Sequence, residues 1–157
     1  MIHILGTGDL CGEFISFSNF DLGDIKTYSK SQIYGGDLKK NIDKNDKVFI
    51  AISDPAIRKR VFEYVLSLGL VPDTYIHSSV IMGLRTKVGI GCIIQPNAII
   101  SNDVLIKNAV FINCNTNIGH NVIIGDYCSL MVNISIGGHC HIEDGVLVGS
   151  GANVLPN

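Results

Sequence analysis

An aliphatic residue returns at every sixth position from Val88 to the end of the chain: Val88, Ile94, Ile100, Ile106, Ile112, Ile118, Ile124, Leu130, Ile136, Ile142, Val148 and Val154. Helices and half-buried strands repeat at about 3.6 and 2 residues, so the unit here is neither; it is a hexapeptide. Four places after each aliphatic residue stands Cys92, Ala98, Val104, Val110, Thr116, Val122, Cys128, Ile134, Cys140, Val146 or Ala152, all small or β-branched, with Ile134 the largest. Three places after it stands mostly glycine, asparagine or aspartate, as in Gly91, Asn97, Asp103, Asn115, Asn121, Asn133, Gly145 and Gly151. Such residues accept positive φ and make tight corners. The pattern predicts a triangular coil. Each hexapeptide supplies a short strand and a corner, three close a rung of about 18 residues, and rungs stack about 4.8 Å apart over columns of inward aliphatic side chains. Val88 to Asn157 give about four rungs, with Met82 in the preceding slot.

With 157 residues and 46% hydrophobic content, the chain suits one domain or two small ones with ample core material. A formal charge of −2 and the lack of a basic stripe interleaved with aromatics argue against nucleic acid. The N-terminus has no basic segment followed by an apolar run, and no apolar span is long enough to cross a bilayer. No membrane insertion is expected, and the cytoplasm is the expected location. Of five cysteines, Cys92, Cys128 and Cys140 occupy inward positions where a small apolar residue fits, so they read as reduced and structural. Cys11 and Cys114 have no base nearby in sequence that would make them reactive.

Before the coil, residues 1–75 read as a small α/β, Rossmann-like unit. Ile2 to Leu5 is a buried strand, followed by Gly6-Thr7-Gly8-Asp9-Leu10-Cys11-Gly12 and the start of a helix carrying Phe14, Ile15, Phe17 and Phe20. Gly6 and Gly8 would let backbone amides approach a phosphate at that helix N-terminus; the alternative is a glycine turn that only packs strand on helix. A second strand, around Ile25 to Tyr28, ends in Ser29 and Lys30 where a dinucleotide site would place an acid, which argues against NAD. The polar run from Tyr34-Gly35-Gly36-Asp37 to Asp46 reads as a solvated connection without chemistry. Lys47 to Ile52 is the clearest strand. It runs into Ser53-Asp54-Pro55 and a helix over Ala56 to Leu68 with Ile57, Val61, Val65 and Leu68 on one face, stopped by Gly69. Ligand loops belong at the carboxyl ends of parallel strands, which puts Gly6, Gly8, Ser53 and Asp54 at one candidate site. Arg58 would face a phosphate there or stand as a solvated cation. Thr74-Tyr75-Ile76 is another short strand, and the β-helix occupies residues 76–157.

The hexapeptide coil resembles the left-handed parallel β-helix of hexapeptide-repeat acyltransferases, an exception to right-handed crossovers. Taken with the glycine-turn α/β unit, the Phe49-Ile50-Ala51-Ile52 strand, its Ile57-Arg58 helix and the His77-Ser78 linker, the chain resembles the bacterial pilin-glycan and sialic-acid acetyltransferase family. The matching core is Ile112-Asn113 followed by Ile118-Gly119-His120-Asn121-Val122-Ile123-Ile124-Gly125-Asp126-Tyr127. The resemblance implies a homotrimer that moves acetyl from acetyl-CoA to an amino or hydroxyl group of a sugar, often nucleotide-linked, for surface-glycan synthesis, with no metal. It implies His120 as general base, Asn121 as the residue that orients it, Asn113 on the substrate side, and Ser129 and Gly138 at the acetyl-CoA site. An imidazole suits that role, because it titrates near neutrality and acyl transfer needs a base and donors for the oxyanion. His120 lies two places after an inward residue, beside a corner, so its side chain is expected to point outward. The family usually carries an acid where Asn121 stands and a second histidine where Ser129 stands. UDP-sugar-binding members tend to have acids where this chain has Tyr28-Ser29-Lys30, so the nucleotide is open.

Relatives of this type usually continue past Val154-Leu155-Pro156-Asn157 with further coils and a tail that helps hold CoA, so a C-terminally shortened acetyl-CoA site is expected. Two other readings stay open. One is a nucleotide-sugar-binding or scaffold protein without catalysis, in keeping with Asn121 and Ser129. The other is a γ-carbonic-anhydrase-type zinc enzyme, which uses the same coil and would draw on His120, His139 and His141.

Overall fold

Three short apolar runs open the chain as parallel strands. In a computed structural model that describes residues 1–35, 38–43 and 45–156, β1 (Ile2–Leu5), β2 (Ile25–Tyr28) and β3 (Lys47–Ile50) form one sheet in the order β2-β1-β3. Gly36, Asp37 and Lys44 of the expected polar connection, and Asn157, lie outside the described residues. Among the described residues four α-helices accompany the sheet: α1 (Asp9–Phe17), α2 (Lys30–Tyr34), α3 (Leu38–Asn41) and α4 (Pro55–Ser67). Local chemistry sets their ends. Ser29 and Gln32 form a reciprocal capping box at α2. Asp54 caps α4 by accepting from the Ile57 amide at 2.8 Å, Pro55 occupies its first turn, and Gly69 leaves it at φ 76°. The buried face of α4 is Arg58, Val61, Phe62 and Val65, rotated from the expected stripe; Ile57 and Leu68 are only partly covered.

The coil consists of two-residue strands stacked in three parallel sheets, a parallel β-solenoid. The first face holds Tyr75–Ile76, Ile93–Ile94, Phe111–Ile112, Ser129–Leu130 and Leu147–Val148. The second holds Ile81–Met82, Ile99–Ile100, Asn117–Ile118, Ser135–Ile136 and Asn153–Val154. The third holds Lys87–Val88, Leu105–Ile106, Ile123–Ile124 and His141–Ile142. Every inward residue from Ile94 to Ile142 is buried, and Val88, Val148 and Val154 at the two ends are partly so. Met82 occupies the slot expected of it, in register with Ile100. Tyr75–Ile76 pairs with Ile93–Ile94, so this short strand belongs to the coil and not to the three-stranded sheet.

Each residue three places after an inward one, from Arg85 to Gly151, has positive φ. Arg85, Ala109, Tyr127 and His139 adopt it together with the glycines, asparagines and aspartate. Corner polar side chains tie successive rungs together. Between the third and first faces, Asn108, Asp126 and Asp144 accept in turn from the amides of Ile90, Asn108 and Asp126 at 3.1, 2.7 and 2.9 Å. Between the second and third faces, Asn102 does the same for Leu84 at 2.9 Å. There the ladder ends, because the next two places in that column are His120 and Gly138.

The α/β segment lies against the first face. Ile93 and Phe111, which point out of the coil, pack with Leu10 and Phe14 of α1 and with Phe49 and Ala51. Phe14 meets Phe20, Phe49 and Tyr75 edge-on. At the adjoining corner, Ala109 and Tyr127 join the α4 cluster, with Phe62 edge-on to Tyr127. Arg58 closes this seam. Its Nε donates to Ala109 O at 2.7 Å, Nη1 to Ile52 O and Ser53 O at 2.6 and 3.1 Å, and Nη2 to Tyr127 O and Cys128 O at 2.6 and 2.7 Å. All five guanidinium N–H groups are thereby used. Burial pulls the group down to about 10, which leaves it charged at neutral pH.

Candidate functional site

Two groupings carry chemistry, and they lie on different sides of the chain. The first is a cleft of about 370 Å³ at the carboxyl ends of β1 and β3, lined among others by Gly6, Gly8, Lys30, Ser53 and Asp54. The two glycines differ in what they do. Gly6 has φ 138°, its amide donates to Tyr28 O at 2.9 Å, and a Cβ there would sit 2.5 Å from Ala51 O. Its amide is committed to the sheet, so the expectation that Gly6 offers an N–H to a phosphate gives way to a packing role. Gly8 is the N-cap of α1, and a Cβ there would meet nothing within 4 Å. It leaves open space in the cleft wall beside a helix start that no side chain caps. Gly8→Val should therefore leave the melting temperature within about 3 °C of the parent while weakening binding of any cleft ligand at least tenfold, read by calorimetry with a nucleotide sugar.

Two expected site residues belong elsewhere. Arg58 is buried in the seam with every donor taken, so it does not face the cleft; it fixes the Ile52 and Ser53 carbonyls of the cleft loop against the coil. Ser129, expected at the acetyl-CoA site, points out of the first face under the α/β segment, is fully buried and donates to Ser53 O. Both corrections have one cause: the α/β segment covers this face, and a period of six says nothing about what covers the outward positions.

The second grouping is the corner between the second and third faces. His120 projects outward there, and its Nδ1 lies 2.9 Å from Asn121 Oδ1. A carboxamide oxygen only accepts, so Nδ1 carries the proton and Nε2 presents a lone pair. The ring lies over Gly138 on the next rung. A Cβ at Gly138 would be 2.9 Å from Nε2 and 3.0 Å from Cε1, so the ring occupies the room a side chain would need. With no polar side chain in its column to cap it, the Gly138 N–H has no acceptor among the described residues. A base nitrogen and a free backbone donor thus share one corner. His139 stands edge-on to His120, ring centroids 4.9 Å apart and planes at 89°.

Asn113 is not part of this corner. It lies between the first and second faces, where its Oδ1 accepts from the Cys114 amide at 2.7 Å. His141 points outward from the third face, 3.8 Å from Glu143, and no group of three or more His, Cys, Asp or Glu among the described residues is arranged to hold a metal ion. Burial raises the Cys11 and Cys128 thiols and pushes Cys92 up to about 12, in keeping with a structural role. Sequence reasoning weighed His139 only as a zinc ligand. The stacking register shows its place, since it follows Asn121 by one rung in the same corner column.

No family model matches the sequence. A GDP-perosamine N-acetyltransferase of Escherichia coli O157:H7 is 34% identical over 111 residues, which cover 69% of this chain and 50% of that protein. Over the aligned residues the chain is similar to a sugar acetyltransferase of the hexapeptide-repeat type. It spans about half the length of that relative. Among solved structures, WeeI from Acinetobacter baumannii AYE matches with a TM-score of 0.70 at 18% identity, over 99% of this chain and 88% of the other. PerB from Caulobacter crescentus, solved in complex with CoA and GDP-perosamine, matches with a TM-score of 0.63 at 15% identity, over 99% and 91%. The acetyltransferase domain of PglB from Neisseria gonorrhoeae FA1090 matches at 0.62 and 14%, over 99% and 96%. At such identities these three matches speak for a shared fold. No helix among the described residues is long and apolar enough to cross a membrane.

Proposed function

We propose that this protein transfers acetyl from acetyl-CoA to an amino group of a nucleotide-linked sugar, with His120 as general base, in the cytoplasmic synthesis of surface-glycan precursors. The observation that carries the reading is the pairing of the His120 Nε2 lone pair with the unused Gly138 N–H. As the amine nitrogen attacks the thioester carbonyl carbon, a C–N bond forms and negative charge develops on the carbonyl oxygen. The Gly138 amide donates to that oxygen, a contribution of about 10²–10³ in rate for one well-placed donor. Nε2 takes the proton that the nitrogen loses, and Asn121 keeps the imidazole in the tautomer that can do so. The tetrahedral adduct then collapses, the C–S bond breaks, and CoA leaves as the thiolate. The curated relative is named for GDP-perosamine, so a GDP-linked amino sugar is the first acceptor to test.

Residues 1–75 serve in this reading as a Rossmann-like nucleotide unit, with the sugar nucleotide in the cleft at Gly8, Ser53 and Asp54, and residues 76–157 as a left-handed β-helix. The cleft sits beside the first face, whereas His120 lies at the corner opposite that face. One chain therefore separates the two, and a homotrimer in which the cleft of one copy serves His120 of the next unites them. Asn113, on a different corner from His120, fits such an arrangement. Five free cysteines suit a reducing compartment.

The test is release of free thiol from acetyl-CoA with GDP-, UDP-, dTDP- and CMP-linked amino sugars, with the acetylated product identified by mass. Transfer to one nucleotide class is expected. Absence of release with every acceptor, from folded protein, would return the chain to the binding-module reading.

A further inference from the structure

We propose that His139 is a positioning residue that holds the His120 ring in its working orientation, an inference that rests on the acetyltransfer reading above. His120 is exposed, and among the described residues its side chain makes one hydrogen bond, to Asn121. Gly138 beneath it supplies room but no lateral contact, so a ring held only at Nδ1 is free to swing about its side-chain torsions over the corner. His139 stands beside the ring. Its backbone amide donates to the His120 carbonyl at 2.9 Å, and its ring meets His120 edge to face at a centroid distance of 4.9 Å, inside the range for aromatic pairs.

No other described group engages the His139 side chain, in contrast to His141 beside Glu143 and His77, whose Nδ1 meets Ser79 Oγ at 2.8 Å. The place where the resembling family usually carries a second histidine is held here by Ser129, which the α/β segment buries and which donates to Ser53 O. His139 is therefore the histidine this fold brings to His120. An edge contact restricts rotation without competing for Nε2, so His139 narrows the orientations from which the base meets its proton. Misplacement of a catalytic group by about 1 Å costs up to about a hundredfold, and partial freedom of the ring should cost less.

The experiment compares the full chain with His139→Ala and His139→Phe. Both substitutions suit the corner backbone, since Ala109 and Tyr127 adopt the same positive φ elsewhere in the coil. Two readouts are taken: kcat and KM for the acceptor and acetyl-CoA, and the ring nitrogen-15 signals of His120 in unliganded protein. His139→Ala is expected to lower kcat about tenfold with KM values within about twofold, and to replace one dominant Nδ1-protonated ring signal by an averaged or split one. His139→Phe, which keeps the edge and removes the titrating nitrogens, is expected to restore kcat to within about threefold and to return the single signal. Unchanged kcat and ring signals in His139→Ala would overturn the proposal. So would a His139→Phe variant as impaired as His139→Ala, because the edge contact would then not be what matters. If the parent transfers no acetyl group to any acceptor, the acetyltransfer reading fails by itself and the ring signals still decide the positioning role.

Discussion

His120→Ala should lower kcat for acetyl transfer by about 10²–10⁴-fold, the range spanned by general acid–base catalysis, while leaving the KM for acetyl-CoA within about threefold. The side chain is exposed and outside the coil interior, so the variant should melt within about 2 °C of the parent, which separates lost chemistry from lost structure. Gly138→Ala attacks the same corner from the other rung. Its methyl group would lie 2.9 Å from Nε2 and must push the ring away from the site where the base and the amide donor meet. A kcat loss in Gly138→Ala comparable to that in His120→Ala is expected, and rates near the parent's in either variant would remove His120 from the mechanism. Co-expression of His120→Ala with Gly8→Val probes the trimer: if cleft and base come from different copies, mixed assemblies recover activity that neither variant has alone.

The second large effect concerns folding. Arg58→Ala should destabilise the protein by about 3–5 kcal/mol, a sizeable part of the usual 5–15 kcal/mol, with a melting temperature lower by about 10 °C. The reason is the number of partners left behind. Five carbonyl oxygens lose a guanidinium donor at once; those of Ile52, Ala109 and Tyr127 keep no other among the described residues, whereas Ser53 O keeps the Ser129 hydroxyl and Cys128 O the Phe111 amide, and the volume of the side chain is vacated. Arg58→Lys should recover only part of the loss, since an ammonium has three donors at one point and the carbonyls surround a planar fork. Chemical denaturation checks this directly; a loss below about 1 kcal/mol in Arg58→Ala would mean that the seam relaxes around water.

The coil was legible almost residue by residue. Period six named the inward column from Ile94 to Ile142, and the glycine and asparagine pattern named most corners, because both follow from interactions inside one rung and its neighbours. Arg85, Ala109, Tyr127 and His139 escaped notice as corners, because the coil imposes positive φ on whatever residue falls there. His120, Asn121 and Gly138 came from the family resemblance and not from the period; the stacking register adds that positions 120 and 138, one rung apart, share a column. What lay beyond reach was the seam. Nothing in a hexapeptide pattern says that Phe111 and Ser129 are covered, or that Asn113 and His120 occupy separate corners. Arg58 did leave a trace. It stands three and seven places before Val61 and Val65, on the apolar stripe of α4, where a solvated cation has no business.

The stacking of His120 against Gly138 and His139 of the next rung also sets a rule of phase for how such a chain can lengthen or shorten. The corner exists because residues 18 apart share a column. An inserted hexapeptide between His120 and Gly138 would carry every later residue one face around the prism, delivering the glycine and the second imidazole to the wrong edge while leaving the aliphatic rhythm, and so the fold, intact. Whole turns may be added elsewhere without disturbing the corner. The coil thus counts in sixes for stability and in eighteens for chemistry, and sequences that keep the first rule but break the second would look like this protein and lack its site.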